Sequence, residues 1–135
     1  LSLVMVLVYM FANAEQDILK AKEAFRAKDY KKSYNMFMKL AKKNNSDAQY
    51  SLSLLFGYGL GTNKSFKNAV KWLKKASANG NDNAQMDLAE MYMKGAGKIV
   101  PKDEKKAYSL YLKQANRANL NAEFHIAMMN VYGLG

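Results

Sequence analysis

Residues 48–61 read AQYSLSLLFGYGLG, residues 84–97 read AQMDLAEMYMKGAG, and residues 122–135 read AEFHIAMMNVYGLG. The three stretches start 36 and then 38 residues apart. Each opens on Ala (Ala48, Ala84, Ala122), has an aliphatic residue in fifth place (Leu52, Leu88, Ile126), and carries glycines in twelfth and fourteenth places (Gly59 and Gly61, Gly95 and Gly97, Gly133 and Gly135). A register kept three times marks an internal repeat. Periods of about 20–50 residues belong to architectures that stack one supersecondary unit on the next.

A second set follows in the same register: SYNMFMKLA from Ser33, AVKWLKKAS from Ala69 and AYSLYLKQA from Ala107. In the middle copy Ala69, Trp72, Leu73 and Ala76 recur at i, i+3, i+4 and i+7, with Lys67, Lys71 and Lys74 on the other side, which is the pattern of a half-buried helix. The unit is therefore an A-type helix, a glycine loop, a B-type helix and a short turn. The two extra residues of the second copy fall between Gly97 and Asp103, in the loop, where insertions are tolerated. Ser46-x-x-Gln49 and Asp82-x-x-Gln85 read as capping boxes at A-type starts. The G-x-G pairs supply the positive φ that stops a helix. Upstream, residues 15–30 (EQDILKAKEAFRAKDY) read as one more A-type helix, with Ile18, Ala21 and Phe25 on its inner face and a turn at Asp29. The expectation is an all-α chain of seven helices in units of about 15–47, 48–83, 84–121 and a partial 122–135. Ala48, Ala69, Ala76, Ala84, Ala107 and Ala122 are its close helix contacts, and Trp72 and Tyr111 lie in the core.

The pattern A-x-x-x-L-x-x-x-Y/F-x-x-G-x-G, followed by D/S-x-x-K/N-A-x-x-W-x-x-K-A, resembles the Sel1-like repeat, a longer-looped relative of the tetratricopeptide repeat. Residues 48–135 follow it closely and residues 16–47 more loosely. Ser65 stands where Asp is usual, and Gln114 where Ala is. The resemblance implies an α-α solenoid of about three and a half helix pairs whose A-type helices line a concave groove that binds another protein. Places four, seven and eleven of each A-type helix would face that groove: Ser51, Asp87 and His125; Leu54, Glu90 and Met128; Tyr58, Lys94 and Tyr132. Gly135 falls in the loop after the last A-type helix, so either further sequence follows or that helix is a bare cap.

Composition narrows the chemistry. The 135 residues suit one domain, and with one proline and half the residues apolar they favour helix. Having no cysteine excludes disulfides, zinc-cysteine sites and thiol nucleophiles. His125 is the one histidine and has no second His or paired acids at ligand spacing, so no metal or cofactor is expected. Asp87 and Glu90 share a helix face, which a solvated surface explains without acid-base work. The glycine pairs follow helices rather than strands and are terminators, not phosphate loops. The formal charge of +10 comes mostly from lysines on the B-type helices: 31, 32, 39, 42, 43, 67, 71, 74, 75, 105, 106 and 113. With two arginines in the chain, these read as a solvated outer face and not as a nucleic-acid interface.

Residues 1–11 (LSLVMVLVYMF) are apolar, Ala12-Asn13-Ala14 follows, and every charge lies downstream. That is the shape of a signal peptide over residues 1–14, cleaved between Ala14 and Glu15, lacking only a basic n-region. The run is shorter than the roughly 18 residues of a stable membrane span, so the expected location is periplasmic or secreted. The expected function is a non-catalytic adaptor or scaffold of the bacterial envelope. Its alternatives are a periplasmic immunity protein that neutralises a secreted toxin and, behind that, a hydrolase of the penicillin-binding or β-lactamase type. The last follows from the resemblance to cysteine-rich Sel1-like proteins, but this chain has neither the cysteines nor a Ser-x-x-Lys motif.

Overall fold

The computed structural model describes residues 2–135. They form seven helices: α1 (Leu3–Arg26), α2 (Tyr30–Lys42), α3 (Ser46–Tyr58), α4 (Phe66–Ala78), α5 (Asp82–Lys94), α6 (Glu104–Ala115) and α7 (Leu120–Val131). Odd-numbered helices are the A-type and even-numbered ones the B-type. The chain divides into two compact units, Leu1–Trp72 and Leu73–Gly135, with the division inside α4.

In the first unit α2 packs against both α1 and α3. Its core gathers Ile18 and Ala21 from α1, Phe37, Leu40 and Ala41 from α2, and Ala48, Leu52, Leu55 and Phe56 from α3, closed by Trp72. In the second unit α6 packs against α5 and α7, around Ala89, Ala107, Tyr111, Ala122 and Met129. Of the six predicted contact alanines, five are fully buried and Ala69 is half-buried. Trp72 and Tyr111 are buried as expected.

Three details differ from the sequence reading. First, α1 runs unbroken from Leu3, capped by the Ser2 hydroxyl on the Met5 amide, so it passes through Ala14 and Glu15. No Gly or Pro interrupts it, and its large apolar side chains from Leu3 to Phe11 are all exposed. Second, its buried stripe runs Ile18, Ala21, Ala24, and Phe25 turns outward to meet the Tyr30 ring edge-on at 5.4 Å.

Third, the A-type helices are capped one residue earlier than the capping boxes require. Asn45, Asn81 and Asn119 accept from the amides of Ala48, Ala84 and Ala122 at 2.9, 2.9 and 3.2 Å. Before each lies a left-handed residue, Asn44, Gly80 or Ala118, and the cap residue's own amide reaches back to Leu40, Ala76 or Gln114. One turn thus ends a B-type helix and starts an A-type helix. Gln49 and Gln85, released from capping, are buried and donate to the carbonyls of Ala41 and Ser77 in the preceding helix.

The glycine loops behave as read. Gly59 ends α3 at φ 69, and Gly61, at φ 70, lies so close to α2 that a Cβ there would meet the Tyr30 carbonyl oxygen at 2.1 Å. Ser65 does the work of the usual Asp: its hydroxyl accepts from the Asn68 amide, as Asp103 accepts from Lys106. That amide, aided by the Lys106 side chain, holds the Asp103 carboxyl below its ordinary range. The longer loop after α5 folds on itself through paired Ala96 and Val100 backbones, with Val100 fully buried.

Candidate protein-interaction faces

Of the nine predicted binding residues, three lie on α3, three on α5 and two on α7, and Tyr132 is the residue that caps α7. In the first unit Ser51, Leu54 and Tyr58 are one turn apart along α3 and line a single hollow of about 250 Å³. Buried Phe37 and Leu55 also border it, and α1 contributes Lys22, Phe25 and Arg26. Leu54 is 40% exposed and Tyr58 74%, so two large apolar groups stand in water beside an apolar recess. The Ser51 hydroxyl donates to the Asp47 carbonyl one turn back. The sequence reading missed the α1 side of this hollow. Its signal was the i, i+3, i+4 spacing of Lys22, Phe25 and Arg26, which puts them on one helix face.

In the second unit Asp87, Glu90 and Lys94 border a shallower hollow of about 340 Å³ with Met91, Gly95 and Ala96. Glu90 is ion-paired with Lys94 one turn on, and both are exposed. On α7, His125 is half-buried and stacks on Tyr111 with ring centroids 4.4 Å apart and planes 10° from parallel. Burial, then the Glu90 carboxylate, pushes the Tyr111 hydroxyl up to about 12. Met128 is half-buried rather than fully wet, while Tyr132, which caps α7, is 67% exposed. The structure brings Asp87, Glu90 and Lys94 to one hollow and leaves Met128 and Tyr132 outside it. Among the described residues no cluster of three or more His, Asp or Glu is arranged to hold a metal. All twelve predicted outer lysines are exposed, and Lys31 and Lys106 lie over the rings of Tyr34 and Tyr92.

The model of the Sel1 repeat matches residues 46–81 and 82–119, two successive units that begin at the α3 and α5 starts described above. The chain belongs to the Sel1 repeat family. Sel1 repeats are an α-α solenoid fold that mediates protein–protein interaction and is not typically catalytic. A chitin synthase regulator of Saccharomyces cerevisiae is 38% identical over 96 residues, which is 66% of this chain and 14% of that protein. A sel1-like repeat-containing protein of Acanthamoeba polyphaga mimivirus is 38% identical over 74 residues, 55% of this chain and 13% of that one. Among solved structures, a Sel1 repeat protein from Oxalobacter formigenes superposes with a TM-score of 0.74 at 31% identity, covering 87% of this chain and 47% of that one. A protective antigen of uropathogenic Escherichia coli strains gives 0.71 at 29%, covering 86% and 26%. The chain thus spans about a seventh of those two curated relatives and at most about half of those two structures.

Proposed function

We propose that this Sel1 repeat chain is a non-catalytic module of the bacterial envelope that holds a partner protein against its A-type helices. The observation that carries this reading is the α3 face, where Leu54 and Tyr58 are exposed beside an apolar hollow. Large apolar groups kept in water next to a recess are the usual sign of a surface completed by a partner. The α5 face adds charge, through Asp87 and the Glu90–Lys94 pair. Residues 1–14 act as the export signal in this reading, and the fully apolar, exposed stretch from Leu3 to Phe11 supports that role. No helix among the described residues is long and apolar enough to cross a membrane.

The test is a fractionation and pull-down in which tagged protein is recovered from the envelope and analysed by intact mass, and its bound proteins are identified. A product beginning at Glu15 with a stoichiometric partner is expected. Recovery from the cytosol with residues 1–14 retained would end the export reading, and recovery as a free monomer from every fraction would end the partner reading.

A further inference from the structure

The hollow of the first unit has a chemical asymmetry that specifies what fits it. Its wall is apolar: Phe25 from α1 and Leu54 and Tyr58 from α3, over Phe37 and Leu55. Its charged members are both cations, Lys22 and Arg26, four residues apart on α1 and so on one face. Among the described residues, neither cation of the hollow is engaged in an ion pair. Lys22 is half-buried at the border of the recess. Two unpaired like charges one turn apart repel each other, and an anion between them relieves that repulsion. Ser51 already gives its hydroxyl proton to the Asp47 carbonyl, so the donors left at the hollow are the two cations and the exposed Tyr58 hydroxyl, a set that suits carboxylates.

We propose that this hollow is a socket for an acidic, apolar segment of the partner protein. A large apolar side chain enters among Phe25, Leu54 and Tyr58, and carboxylates adjacent to it on the segment meet Lys22 and Arg26. The inference rests on the interaction reading above and adds the chemistry of the partner. The apolar stretch of α1 from a second copy is a poorer occupant, because residues 3–14 carry no carboxylate to answer the two cations.

The test uses fluorescence anisotropy on the purified chain with three labelled synthetic peptides. One carries a Leu-Phe pair flanked by glutamates, one replaces the glutamates with lysines, and one replaces the Leu-Phe pair with alanines. Saturable binding of the first is expected, with the other two weaker by at least about tenfold. Lys22→Glu with Arg26→Glu should reverse the preference between glutamate and lysine peptides, and amide shifts in NMR should centre on Ser51, Leu54 and Tyr58. Equal binding of the glutamate and lysine peptides, no binding of any peptide, or self-association that fills the same amides would overturn the socket. If a pulled-down partner still depends on Tyr58 in those cases, the socket chemistry fails alone. If it does not, the interaction reading fails with it.

Discussion

The Gln114 side-chain amide on α6 donates to the side-chain oxygen of Gln85 on α5 at 2.7 Å, and both residues are buried. Gln85 in turn donates to the Ser77 carbonyl, and Gln114 also reaches Asp82, which pairs with Arg117. The residue that departs from the Ala of the repeat pattern therefore closes a polar network inside the second unit. Removing the Gln114 amide leaves the buried Gln85 oxygen unsatisfied, which costs about 1–3 kcal/mol, while the half-exposed Asp82 keeps water and Arg117. Gln114→Leu should lower the chemical-denaturation midpoint accordingly, and faster amide exchange in α5 and α6 would locate the loss.

The repeated turn predicts opposite effects at its cap position, tested in the α4–α5 copy, and at the left-handed position before the cap, tested in the α6–α7 copy. Asn81→Ala removes the cap on the Ala84 amide and should destabilise by about 1 kcal/mol. Ala118→Gly relieves a left-handed alanine at φ 59 and should stabilise by up to about 1 kcal/mol, reduced by the greater freedom of glycine in the unfolded chain. Thermal unfolding of the two variants beside the wild type gives both signs in one experiment.

Core register is tested by size. Trp72→Ala empties a buried site of the first core and should cost about 3–5 kcal/mol. Ala84→Leu forces three further carbons into a fully buried helix contact and should cost about 1–3 kcal/mol. Urea midpoints equal to wild type for either variant would contradict the packing described.

What was legible in the sequence and what was not divides along physical lines. The repeat, the helix order, the glycine stops and the contact alanines were readable because periodicity and side-chain volume are written into the chain itself. The caps were misread by one residue because Asn45 and Ser46 are both good cap formers. The choice between them is made by the left-handed residue before the cap, a state that Asn44 and Gly80 favour but Ala118 does not. Phe25 was assigned inward because it fits the helical period as well as Ala24, and only the packing of α2 on α1 puts Ala24 at the contact. The hollow was half-visible: Ser51, Leu54 and Tyr58 follow from repeat position, whereas Lys22 and Arg26 join them only through how α1 and α3 sit around α2.

Tyr111 predicts a specific alkaline weakness. Its folded hydroxyl titrates at about 12 against an ordinary value of 10.0, so folding favours the protonated form. The contribution is fully present below pH 10 and is lost as pH rises from about 10 to about 12, where the unfolded chain ionises first. Stability measured across that window should fall with pH in the wild type and fall less steeply in Tyr111→Phe, which keeps the ring stacked on His125.

The most direct test of the central claim is surface plasmon resonance against the partner recovered from the envelope, comparing two double variants. Tyr58 is exposed and the Glu90–Lys94 pair is a surface pair of small energetic weight, so Tyr58→Ala with Glu90→Ala should leave helicity intact. It should raise the dissociation rate by about tenfold or more, because aromatic groups at the centre of a contact carry most of its energy. Lys71→Glu with Lys74→Glu, on exposed positions of α4, should change the association rate and its salt dependence and leave dissociation nearly as it was. If the lysine reversals abolish binding while the α3 and α5 replacements leave it unchanged, the partner sits on the B-type helices and the account is contradicted.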